Sequence, residues 1–163
     1  LMAGVVLIIV LGALVMLART AIKNSEYMQE RAQATNLASE GIEIVRQIRD
    51  TNLIDGSPAT GWNTMEDGGV FQYGVDYYVT FNNNTGIYRL APGAYDVTNI
   101  DNVSFLRKIK FYNIATSGLL KSPTDVNNVG KNGAIVEATV SWSSAPAHII
   151  TIRELITNSR FVF

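Results

Sequence analysis

LMAGVVLIIVLGALVMLA at residues 1–18, followed directly by RTAIKNSEYMQERAQATNLASEGIEIVRQIRD at residues 19–50, decides the architecture of this chain. The first segment has no charged or strongly polar side chain; the second has five basic and five acidic ones. No proline occurs before Pro58. A proline inside a helix removes a hydrogen bond and costs about 3 kcal/mol or more, so its absence permits one helix through both segments. Such a helix, residues 1–50, would be about 75 Å long at 1.5 Å per residue.

Its two halves have different chemistry. The run at 1–18 is apolar on every face and would span about 27 Å, close to the roughly 30 Å hydrocarbon core of a bilayer. A secretory signal would show a basic segment ahead of the run and a small-residue cleavage site behind it. Here Arg19, Thr20, Ala21, Ile22 and Lys23 follow. A buried core helix seldom stays apolar all round for five turns, which favours a bilayer or a bundle of identical helices. Gly4 and Gly12 do not form a GxxxG pair, so no tight dimer motif is indicated.

The half at 19–50 is amphipathic. Ala34, Leu37, Ala38, Gly41, Ile42, Val45 and Ile48 recur at spacings of three and four, with Glu40, Glu43, Arg46, Gln47 and Asp50 opposite. Leu37, Ala38, Ile42, Val45 and Ile48 are the residues expected to pack on a following domain.

Residues 51–163 read as that domain. Thr51–Gly69 is rich in Gly, Pro, Asp and Asn and reads as a loop. Beyond it the period falls to two, and Tyr73, Val75, Tyr77, Val79 and Phe81 share one strand face. Asn82–Gly86 reads as a turn and Ile87–Ala91 as a return strand; Ala94–Asn102 reads as irregular. Val103–Ile114 is a further strand with Phe105, Ile109 and Phe111 among its apolar positions. A loop at 122–133 leads to Ala134–Ser143, where Ala134, Val136, Ala138, Val140 and Trp142 alternate with Ile135, Glu137, Thr139 and Ser141. A turn at Ala145-Pro146 leads to a last strand, His148–Thr157. Short connections favour an antiparallel sheet. The expected class is α+β: a helix of about 50 residues on a four- to five-stranded meander.

Composition narrows the chemistry. A formal charge of −1 gives no global attraction to nucleic acid or to an anionic surface. The chain has no cysteine, which excludes disulfides and thiolate metal sites, so an exported domain must hold by packing alone.

The arrangement resembles the type IV pilin and pseudopilin family. LMAGVVLIIVLGALVMLA is similar to the family's hydrophobic half-helix, ATNLASEGIEIVRQIRDTN (34–52) to its continuing helix, and VSWSSAPAHIITIRELITN (140–158) to its closing hairpin. The resemblance implies a structural subunit, processed by a peptidase, anchored in a membrane, and extracted by inner-membrane machinery into an extracellular helical filament. Leu7, Ile8, Leu11, Gly12, Leu14, Val15 and Leu17 are then the expected contacts between copies. The family's mature chains carry a glutamate at the fifth residue that pairs with a neighbour's amine. Here Val5 stands fifth and the first acidic residue is Glu26, so a few residues are expected ahead of Leu1. Major pilin, minor pilin and secretion pseudopilin are not separated by these residues. The competing reading is a membrane-tethered β-domain that binds a partner as a monomer. Such tethers usually end in a Gly/Ser/Pro linker, whereas this helix runs on into its stripe.

Catalytic patterns are absent from the sequence: no GxSxG, phosphate-binding loop, HExxH or calcium-loop motif occurs. His148, the single histidine, reads as a strand residue without an orienting partner, and neither a cofactor nor an enzymatic activity is expected. Asp55, Asp67, Asp76, Asp96, Asp101 and Asp125 are dispersed, leaving a loop calcium site as a minor reading. Arg107, Lys108 and Lys110 form the one basic cluster of the domain. Lys108 and Lys110 share a strand face that could meet DNA phosphates, against the plainer reading of a solvated face. Asn83-Asn84-Thr85 and Asn102-Val103-Ser104 match the glycosylation pattern, which an Asn-rich chain produces by chance.

Overall fold

The helix expected at residues 1–50 is α1, Met2–Ile54, in the computed structural model of the chain. The structure describes residues 2–54, 62–65, 69–83, 86–113, 133–142 and 147–157. The side chains of residues 2, 3, 5, 6, 8 and 9 lie outside that description, as do the turn at Ala145-Pro146, most of the loop at 122–133, and Asp55, Asp67 and Asp125. Helix α1 continues four residues past the expected end, because the segment from Thr51 to Ile54 contains neither glycine nor proline. Asn52 also fastens that last turn, its amide donating to the Trp62 and Thr64 carbonyls at 2.9 Å each.

The chain divides into two units, residues 1–33 and 34–163. In the second, the fold is α+β with six antiparallel strands rather than four or five: β1 Asp76–Asn82, β2 Ile87–Pro92, β3 Asp96–Ile100, β4 Val103–Tyr112, β5 Gly133–Trp142 and β6 His148–Thr157. The spatial order is β2-β1-β4-β5-β6, with β3 also paired to β4. This departs from a meander. Both β1 and β3 use the same edge of β4: β3 pairs along Val103 to Arg107, and β1 joins at Ile109 and Lys110.

The extra strand is β3, in the stretch read as irregular. Its hairpin to β4 closes through Asp101 and Asn102, at φ 50° and 66°, with Ile100 opposite Val103. Two consecutive positive φ values define a tight turn whose twist matches the strands, and Asp and Asn tolerate that region. The Asp-Asn pair between Ile100 and Val103 was the available signal.

Alternation decides which strand residues are buried. Phe105, Ile109 and Phe111 of β4 and Ala134, Val136, Ala138, Val140 and Trp142 of β5 all point into the core. Tyr73 and Tyr77 join them and Val79 packs at the margin, but Phe81, expected on the same face, is exposed. It lies near the end of the edge hairpin, beside the Tyr88 ring. Phe71, Tyr77 and Phe111 form an aromatic cluster, with Phe71 stacked on Phe111 at 4.8 Å and Tyr77 edge-on to both.

The helix supplies the other side of this core. Leu37, Ala38, Ile42 and Val45 are buried, Ile48 packs at the edge, and Ala34 is fully buried. Gly41 marks the closest approach: a Cβ there would stand 2.8 Å from Ile109 Cδ1 and 3.5 Å from the Ala138 methyl. Hence Gly41→Leu is expected to destabilise the protein by about 1–3 kcal/mol through overpacking. Urea denaturation of the full chain in mild detergent measures this; an unchanged midpoint would place the helix farther from β4 and β5.

Candidate functional site

The residues expected to contact neighbouring copies lie on the first unit. There Leu7, Leu11, Leu14, Val15 and Leu17 have 53–68% of their surface exposed, and a Cβ added to Gly12 would meet nothing within 4 Å. Ile8 lies outside the described side chains. Val10, Met16, Ile22 and Met28 are exposed as well. Isolated exposed apolar residues are ordinary, but several consecutive turns of them mark a surface that meets another apolar phase. Among the described residues, no helix is long and apolar enough to cross a membrane.

The basic cluster of the second unit does not behave as one group. Strand parity sends Arg107 into the core side with Phe105 and Ile109, while Lys108 and Lys110 face outward. Arg107 is only 5% exposed. Its Nη2 lies 3.0 Å from Asp96 Oδ2 and its Nη1 3.3 Å from Glu40 Oε2, and it donates to the Leu37 carbonyl at 3.2 Å. It therefore ties β4 to both β3 and the helix. The sequence reading grouped it with the lysines by adjacency, although the alternation of β4 already separated them.

On the outward face, register lines up Asp76, Lys110, Glu137 and Arg153 across β1, β4, β5 and β6. Their charges alternate along this row. Asp76 stands 2.9 Å from the Lys110 ammonium and 3.6 Å from that of Lys108. The positive charge that would draw phosphates is thus largely matched locally, and the outward row carries no net charge.

Glu137 is buried despite its charge, accepting hydrogen bonds from the Tyr112 hydroxyl at 2.9 Å and from Arg153 Nε. Burial, this hydrogen bond and the Glu137 charge push the Tyr112 phenol up to about 12. Because the unfolded phenol titrates near 10, the stability linked to the retained proton is complete below that pH. It is lost as pH rises through the folded value of about 12. Across this window wild type is expected to lose on the order of 1–2 kcal/mol more than Tyr112→Phe, after allowance for partial exposure. Parallel pH profiles of the two urea midpoints would mean that the bond to Glu137 does not persist in solution.

Elsewhere on this unit, His148 is half-buried against Trp142, with ring centroids 5.4 Å apart, and serves packing. Arg46 on the helix pairs with Glu43 and with Glu154 of β6, its Nε donating to the latter at 3.0 Å. A cleft of about 520 Å³ lies between the end of the helix (Gln47, Ile48, Thr51, Asn52), Met65, Phe71 and β2. Its floor is apolar, at Phe71 and Leu90, and its rim polar, at Gln47 and Thr51. Among the described residues no three His, Cys, Asp or Glu side chains gather where they could hold a metal ion. Asp76 and Asp96 of the dispersed aspartates are engaged by Lys110 and Arg107. Asn102 occupies the β3–β4 turn and is exposed, whereas Asn84 and Thr85 lie outside the described residues.

Comparison with protein-family models, curated proteins and solved structures gives no match to this chain.

Proposed function

We propose that the protein is a structural subunit of an extracellular helical filament of the type IV pilin kind, in which the apolar half of α1 is buried among copies of itself. The observation that carries this reading is the contrast along one helix. From Ala34 to Val45 its apolar residues are buried in the sheet unit, whereas from Leu7 to Met28 large apolar residues are exposed.

Energetics favour many neighbours over one. Full burial of a Leu or Val side chain contributes about 1.5–3 kcal/mol, so a handful at a single contact gives roughly 10 kcal/mol. Association costs an estimated 4–15 kcal/mol in lost freedom, so one neighbour leaves little surplus and several leave a stable bundle. A helix apolar all round suits a many-membered bundle better than a pairwise seam.

The test is cryo-electron microscopy of material sheared from cells producing the chain, with mass spectrometry of its N-terminus. Filaments whose core density fits the apolar run support the reading. A monomer retained with the cell envelope would instead point to a tethered β-domain, with the cleft beside β2 as its binding surface.

A further inference from the structure

The face of the sheet turned away from the helix carries apolar side chains around a charged centre. Val97 of β3 and Ile149 and Leu155 of β6 are 53–62% exposed. Register places them in two rows to either side of the charged one. Val97, Leu106, Ser141 and Ile149 form one row, and Tyr112, Ile135 and Leu155 the other. Leu106, Tyr112 and Ile135 are half-buried. A solvated sheet face ordinarily presents polar residues, so large apolar ones at its margins mark a surface that meets another.

We propose that this face binds the same face of a second copy, about a two-fold axis parallel to the strands and passing between β4 and β5. The contact goes beyond the filament reading and does not depend on it. Charge order selects the partner. Across the sheet that order is Asp76 minus, Lys110 plus, Glu137 minus and Arg153 plus. The two-fold turns it end for end. Asp76 then faces Arg153 of the second copy, and Lys110 faces Glu137 of the second copy. Opposite charges meet at all four positions, whereas a uniformly acidic or basic partner would satisfy only half of them.

The same rotation brings apolar rows together. Val97 comes to face Ile149 of the second copy and Tyr112 to face Ile135, while Lys108 faces Thr139. Sheets packed face to face keep their strands aligned in this manner. A two-fold axis lying across the strands does worse. It sets Asp76 on Asp76 and Lys110 on Lys110 when the charged rows coincide, and otherwise sets the charges against the flanking rows.

The experiment uses the full chain carrying Leu14→Arg, which silences association through the apolar helix, in mild detergent. Sedimentation over a concentration series compares this chain with versions adding Val97→Glu, Ile149→Lys or both. Both sites are exposed, so the fold is kept, and thermal melting checks it. Each single change is expected to raise the dimer dissociation constant at least tenfold, and the pair to restore it. Singles that dimerise like their parent would overturn the proposed face. A parent that stays monomeric throughout the series would overturn the contact altogether. A dimer in cells that yield no filament would sink the filament reading and leave this contact standing.

A second readout uses the absence of native cysteine. Val97 and Ile149 stand three strand spacings apart in one chain, about 14 Å, beyond the reach of a disulfide. Under mild oxidation Val97→Cys/Ile149→Cys is expected to give a covalent dimer and no longer ladder, because a two-fold contact closes on itself. Neither single variant should cross-link. A dimer from Ile149→Cys alone would mean that the copies meet through the β6 edge, and would overturn the face-to-face arrangement.

Discussion

Replacing Leu14 with arginine is expected to abolish filament assembly while leaving the sheet unit folded. Leu14 is exposed in the single chain, so the substitution removes no contact within the fold. In the bundle it would bury a guanidinium among aliphatic side chains. A charge at the centre of an apolar phase costs about 2.5–3.5 kcal/mol on insertion scales, and the penalty recurs in every subunit. Leu11→Arg is expected to act in the same way. Filament yield after shearing, alongside the urea midpoint of the same chain, separates the two effects. Normal filaments from either variant would rule out the apolar half-helix as the core.

Arg107→Ala is expected to destabilise the sheet unit by about 3 kcal/mol. The guanidinium holds Asp96 through Nε at 3.3 Å and Nη2 at 3.0 Å, and satisfies the Leu37 carbonyl beneath the helix. Its removal leaves a cavity and strands a largely buried carboxylate with only a long contact from the Val79 amide. Losing one partner of a buried pair is worse than losing both. The double variant Arg107→Met/Asp96→Asn is therefore expected to recover much of the loss, whereas Arg46→Ala, at a half-buried surface pair with Glu43 and Glu154, should cost below about 1 kcal/mol. Urea denaturation of the four chains tests this. An Arg107→Ala midpoint equal to that of wild type would show that the buried pair contributes nothing.

Legibility differed between elements for identifiable reasons. The Leu37–Ile48 stripe was readable because helical periodicity is a property of neighbouring residues, and burial followed it. The inward faces of β4 and β5 were readable from alternation in the same way. Strand β3 was missed because its residues, DVTNI, are mostly polar, and a strand held on one edge by β4 needs little apolar content of its own. Arg107 was misread because adjacency to Lys108 suggested one cluster, while the pleat turned it to the opposite face from both lysines.

By itself the sequence determined the long helix with its two chemistries, the α+β class, and the inward positions of the principal strands. All of these depend on local spacing, which the backbone periods of 3.6 and 2 convert directly into faces. Only the tertiary structure decided that β1 pairs with β4 as well as with its neighbour β2, that Asp96 and Glu40 meet around Arg107, and that Asp76 matches the charge of Lys110. Those contacts join residues far apart in the chain, and their partners are chosen by how the whole core closes.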